Sequence, residues 1–141
     1  MTPSEFEDGQ RPKSLWQVVD LVNAGPCEFG EALAEFIDEA KKMDPSGLSK
    51  SLLVDPGFLS QSNPGFGDWQ DAYIGATAEH LCRGANTPIP DWTEKRERFL
   101  SRAWFDNHGL KSLNAMMVAE SPLAFRRRFI FTEAKPLVLL H

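Results

Sequence analysis

Cysteine is scarce in this chain: Cys27 and Cys82 are the only two in 141 residues, and no CxxC pair occurs. A dense disulfide framework of the kind small secreted domains use is therefore excluded, and both thiols are expected to be free and buried inside helices. Long apolar runs are also missing, since no stretch approaches the roughly 20 apolar residues of a membrane span. The opening MTPSEFEDGQRPKS is acidic and polar, without the apolar core of a leader. The expectation is a chain with no membrane association that works in the cytoplasm. The standard signatures of catalysis and nucleotide binding are absent: no P-loop, GxGxxG, HExxH, GxSxG or EF-hand loop occurs. No internal repeat or low-complexity segment is visible. His80, His108 and His141 lie far apart, and the neighbouring Glu79 and His80 would not face each other on a helix, so neither metal nor cofactor is expected.

What is present reads as one globular domain. A chain of 141 residues can bury a core without disulfides or metal, and ten Phe and four Trp supply the bulk of it. The net charge of −5 argues against wrapping around a polyanion. The charge is unevenly spread, with eleven acids against five bases over residues 1–60, and eight bases against three acids over residues 95–128. A local basic face survives in the second half.

Pattern and capping residues predict about six helices. Residues 1–13, with Pro3, Gly9 and Pro12 among charges, read as a flexible arm, and 14–141 as a single helical domain. Ser14 can cap a helix to about Asn23 that Gly25 stops. From Cys27 to Met43, Phe29, Leu33, Phe36, Ile37 and Ala40 form an apolar stripe, opposite a solvated face of Glu28, Glu31, Glu35, Asp38 and Glu39. Seven Pro and Gly residues break 44–67 into a short helix around Leu48 to Val54 and a loop. A longer helix runs from Gly67 or Asp68 to about Arg83, with Trp69, Ala72, Tyr73, Ala76, His80 and Leu81 as its stripe and Gly84 as its stop. Asp91 to Glu94 has the form of a capping box for a helix over 92–101. Another helix is expected over 110–119, then a brief one that Ser121-Pro122 would start. Phe129 to Thr132 is an extended segment or a short strand. The fold class is thus all-α, an irregular single-domain bundle with a short extended C-terminal segment.

Two stretches carry candidate chemistry. Arg102 and His108, six residues apart, could bind a phosphate and move a proton, and the run resembles the Arg-x4-6-His motif of the all-helical HEPN ribonucleases. That resemblance implies RNA cleavage by Arg102 and His108. The alternative for the same run is that Trp104 and Phe105 anchor the core and Asp106 to Gly109 make a turn. Arg126, Arg127 and Arg128 form the densest charge cluster. Guanidinium groups suit carboxylates and phosphates, but three successive helical residues span about 200° of arc, so they cannot all face one ligand. At least one is expected to turn inward, towards an acid such as Glu120 or a helix C-terminal carbonyl.

The run Trp92, Arg98-Phe99-Leu100, Trp104-Phe105, Leu113, Glu120-Ser121-Pro122-Leu123-Ala124-Phe125-Arg126-Arg127-Arg128 and Ile130-Phe131 resembles an uncharacterised bacterial domain common in actinobacteria. Its most specific part is ESPLAFRRR, and the resemblance covers roughly residues 66–133. Members often follow a helix-turn-helix and lie beside nucleotidyltransferase-type toxins, which implies an antitoxin or regulatory role. Residues 14–43 offer no helix-turn-helix, and their acidic second helix would be repelled by phosphate. The resulting expectation is a non-enzymatic protein-interaction domain, antitoxin-like, whose partner is a toxin enzyme. Trp92, Trp104, Phe105, Arg126, Arg127 and Arg128 would form or support the contact, because aromatics and arginine dominate interface energetics. The alternatives are the ribonuclease and a nucleic-acid-associated regulator acting through residues 95–128.

Overall fold

A computed structural model of the chain describes residues 11–25, 28–59, 68–106 and 109–132. Cys27, His108, His141 and most of the N-terminal arm lie outside these residues. Six α-helices are present among them: α1 (Leu15–Ala24), α2 (Phe29–Ala40), α3 (Pro45–Ser51), α4 (Asp68–Ala85), α5 (Asn114–Glu120) and α6 (Leu123–Arg126). Two two-residue strands, β1 (Trp104–Phe105) and β2 (Ile130–Phe131), and three short 3-10 turns accompany them. The fold is all-α, as the sequence predicts.

The helix ends follow local chemistry. Ser14 Oγ accepts from Gln17 N–H and starts α1, while Gly25, in the left-handed region at φ 95°, ends it with its N–H on the Val22 carbonyl. Asp44 Oδ1 accepts from Gly47 N–H at 2.7 Å with Pro45 behind it, so α3 begins earlier than its apolar residues suggest and stops at Ser51 rather than Val54. α4 runs past Gly84 to Ala85. Asn86 takes φ 57°, and the Thr87 N–H reaches the Cys82 carbonyl at 2.9 Å, closing the helix with a Schellman turn.

α4 is the axis of the molecule. Residues 70–79 are buried on every face, because α3, α6, β2 and the turns over 91–98 all pack against it. The single stripe expected there is thus too narrow. Around α4, the apolar sides of α1 and α2 join Leu48, Leu52, Leu59, Trp92, Phe125 and Ile130 in one core. Glu35, expected on the solvated face of α2, is 2% exposed and meets the Arg11 guanidinium at 3.3 Å. The arm is therefore tied down at Arg11, and Pro12 is buried beside it.

Three further expectations are corrected. The helix over 92–101 is instead two 3-10 turns, Asp91–Glu94 and Arg96–Arg98, broken at an extended Lys95. Glu94 cannot close a capping box because its carboxylate is held by both Arg127 Nη atoms, at 2.9 and 3.0 Å. Ser121 does not cap α6. Its hydroxyl accepts from Thr132 N–H at 2.8 Å and donates to the Met117 carbonyl, pinning the end of α5 to the residue after β2. The helix over 110–119 divides into a 3-10 turn, Lys111–Leu113, and α5, of which only Met117 is buried.

β1 and β2 pair in parallel, Trp104 with Ile130 and Phe105 with Phe131. A parallel pair needs a crossover connection, and the segment carrying α5 and α6 provides it. Trp104 N–H donates to the Phe129 carbonyl at 2.8 Å and Asp106 N–H to that of Phe131 at 2.9 Å. Phe129 stands at φ 63°, a left-handed conformation uncommon for an aromatic residue, and it turns the chain from α6 into β2.

Candidate functional site: a buried arginine core behind an aromatic groove

The small residues Ala72, Gly75, Ala76 and Ala78 let other segments approach α4 closely, and the space beside them is filled by charge. Arg98, from the second 3-10 turn, and Arg128, just after α6, are both 0% exposed and lie against Gly75. Arg128 Nη1 donates to Glu79 Oε1 at 2.7 Å and to the Ala124 carbonyl at 2.8 Å, and its Nη2 to the Thr93 carbonyl at 2.8 Å. Glu79, also 0% exposed, takes Arg83 Nε at 2.7 Å on its other oxygen and Arg127 Nη1 beside Arg128. One buried carboxylate thus holds three guanidiniums. Arg98 donates to Asp55 Oδ1 at 2.9 Å, to the Gly57 carbonyl at 2.8 Å and to the Asp71 carbonyl at 3.3 Å.

Aromatic rings enclose the two cations. The Arg98 guanidinium carbon lies 4.1 Å from the Phe58 ring centre and 5.0 Å from that of Trp92, and that of Arg128 lies 4.6 Å from Phe99. Burial pushes the Glu79 carboxyl up, but hydrogen bonds from Arg128 and Arg83 and the charges of Arg128 and Arg127 outweigh it, leaving its pKa below the ordinary value. Asp55 behaves alike: burial raises it, and Lys95, the Gly57 amide and Arg98 bring it down further. Burial lowers the pKa of Arg98 and Arg128, against the pull of Asp55 and Glu79. Four acids, Asp55, Asp71, Glu79 and Glu94, surround the arginines of this core, so it is close to neutral as a unit.

In front of this core lies a surface groove of about 680 Å³. Trp69 and Trp104 stack at its side, ring centres 4.2 Å apart and 5° from parallel. Phe99 and Leu100 continue the apolar lining, and Arg96 and Arg102 stand on the exposed rim with Glu97. The loop that forms the groove is anchored at its middle and its end by backbone bonds to the α6–β2 segment, Leu100 N–H to the Arg128 carbonyl and Trp104 N–H to that of Phe129.

The residues expected to make one contact surface are divided between these two regions. Trp92 is buried and donates its indole N–H to the Leu52 carbonyl at 2.7 Å, and Arg128 is fully enclosed, so both support the surface from within. Arg127 is shared between Glu79 and Glu94. Arg126 is exposed and carries no ion pair among the described residues. Trp104 lines the groove, whereas Phe105 stacks on Phe131 at 5.0 Å beyond it. The inward arginine finds Glu79, 49 residues away, rather than the exposed Glu120. Arg102 sits in an exposed bend leading into β1, not on a helix, and its expected companion His108 lies outside the described residues.

Sequence reasoning missed Glu79, Asp55, Asp71 and Trp69 as site residues, and the basic stretch over residues 95–128 gave no sign that Arg98 is fully buried. The available signal was an acid embedded among Ala and Gly on a helix, where small residues mark close approach. His80 is half-buried against Phe125, and burial lowers its pKa; Cys82 is a buried free thiol whose pKa burial raises. No group of three or more His, Cys, Asp or Glu side chains among the described residues is placed to hold a metal ion. No helix among them is long and apolar enough to cross a membrane.

No protein-family model, curated protein or solved structure matches this chain.

Proposed function

We propose that this chain is a non-enzymatic protein-interaction domain that docks its partner through the groove between Trp69 and the 96–104 loop. The observation that carries the reading is the make-up of that groove: half-buried Trp69, Phe99 and Trp104 beside exposed Arg96 and Arg102. Aromatic and arginine side chains supply most of the binding energy at protein interfaces. The neutralised core behind the groove fixes the loop, which lowers the ordering cost of binding.

The finer reading is antitoxin-like, a bacterial cytoplasmic protein that holds off a toxin enzyme. It is supported by the resemblance carried by ESPLAFRRR, the segment whose last residue, Arg128, and the Phe129 that follows it anchor the groove loop through their backbone carbonyls. A photo-crosslinking amino acid at Ala103, compared with one at the exposed Ser46 of α3, tests the docking site in the native cell. The expected result is one protein captured from position 103, lost with Trp104→Ala and not captured from position 46. Equal capture from both positions, or none from 103, overturns the proposal. A captured protein without toxin activity in a growth assay removes the antitoxin part.

A further inference from the structure

Seven arginines lie between residues 83 and 128, and the structure sorts them into two groups. Arg83, Arg98, Arg127 and Arg128 each meet a carboxylate within 4 Å. Arg96, Arg102 and Arg126 are exposed and carry no ion pair among the described residues. Two of these three, Arg96 and Arg102, rim the same groove. Asp55, Glu79 and Glu94 are ion-paired with the arginines behind, and the Asp71 carboxylate accepts from Leu59 N–H.

We infer that the groove receives a short acidic segment of a partner protein, one with carboxylates flanking a large apolar side chain; this rests on the docking site proposed above. A planar guanidinium binds a carboxylate through two parallel N–H bonds, and Arg96 and Arg102 are exposed with no side-chain partner among the described residues. Between them Phe99, Leu100 and the Trp69–Trp104 pair offer an apolar seat. The volume of about 680 Å³ falls within the roughly 300–1,000 Å³ typical of ligand pockets. Glu97 shares the rim, and the chain carries −5 overall, so a continuous polyanion is repelled more strongly than a short peptide with a few spaced carboxylates.

The test is fluorescence anisotropy of the whole chain with three labelled probes: a six-residue peptide with glutamates flanking Leu-Phe, the same peptide with glutamines, and a hexathymidylate. The acidic peptide is expected to bind, the glutamine version about tenfold more weakly, and the oligonucleotide more weakly than either. Arg96→Gln and Arg102→Gln should each weaken the acidic peptide by about tenfold while leaving the glutamine peptide unchanged. Both side chains are exposed and carry no ion pair among the described residues, so an unchanged melting temperature will show that the variants fold. Equal affinity for the two peptides, no binding of the acidic one, or preference for the oligonucleotide overturns the inference. Partner capture from position 103 combined with failure of the acidic peptide leaves the docking site standing and removes only its charge preference.

Discussion

Replacing Glu79 by Gln changes almost no volume but strips the charge that compensates Arg128. Glu79 and Arg128 are both 0% exposed, and their 2.7 Å contact has no water to replace it. Arg83 and Arg127 are partly exposed, so they can rehydrate and contribute little to the loss. Breaking one side of a buried ion pair costs about 3–5 kcal/mol, a large share of the ~5–15 kcal/mol that holds a domain folded. Urea denaturation followed by circular dichroism at pH 7 should therefore show Glu79→Gln destabilised by about 3 kcal/mol or more. The pH dependence gives a second readout. Because the folded carboxyl is held below its ordinary value, its stabilisation is present above the unfolded pKa, about 4.3, and is lost as pH falls through the folded one. The wild type should lose stability below about pH 4, and Glu79→Gln should lose less over the same interval. Removing both charges, Glu79→Leu with Arg128→Met, should recover much of the single-variant loss. A Glu79→Gln protein within about 1 kcal/mol of wild type, with the same acid slope, would refute the claim that this pair carries uncompensated charge when broken.

Three further outcomes are expected. Gly75→Ala places a Cβ 3.1 Å from Arg98 Cβ and 3.3 Å from Arg128 Nε, whereas Gly84→Ala meets nothing within 4 Å. The first should lose about 1–2 kcal/mol and the second gain up to about 1 kcal/mol, so thermal shifts of the same sign would contradict the packing account. Phe129→Gly should be about 1 kcal/mol more stable than Phe129→Ala, since only the glycine relieves the φ of 63°; chemical denaturation showing the reverse order would remove the strain. The buried Cys82 thiol, its pKa raised, should resist iodoacetamide at pH 8 in the folded protein and react on unfolding, as read by peptide mass spectrometry. Labelling at the rate of a free thiol would show that α4 opens readily.

What could be read from the sequence is what neighbouring residues decide among themselves. The cap at Ser14, the stop at Gly25, the stripe of α2 and the existence of a long helix after residue 67 depend on side chains within a few positions of the backbone they control. The segment after Arg128 was legible in part: Ile130 and Phe131 form the short strand their β propensity favours, whereas Phe129 takes a left-handed turn the sequence does not signal. Where these local signals stood alone, the expectation and the structure agree to within a few residues.

What only the tertiary structure decided begins where a distant partner outweighs local preference. Residues 91–98 have a plausible helix start, yet Trp92 is drawn in to Leu52, Arg98 to Asp55 and Asp71, and Glu94 out to Arg127, and the helix gives way to two 3-10 turns. The arginine cluster shows the same limit. Helical geometry dictates that Arg126, Arg127 and Arg128 must diverge, and so the sequence determines that at least one turns inward. It cannot say which, because the choice depends on Glu79, 49 residues from Arg128 and unremarkable until α4 and α6 pack together. The same packing decides which arginines remain free at the groove: a buried charge is tolerated only against an opposite charge, and the acids within reach are settled by the fold.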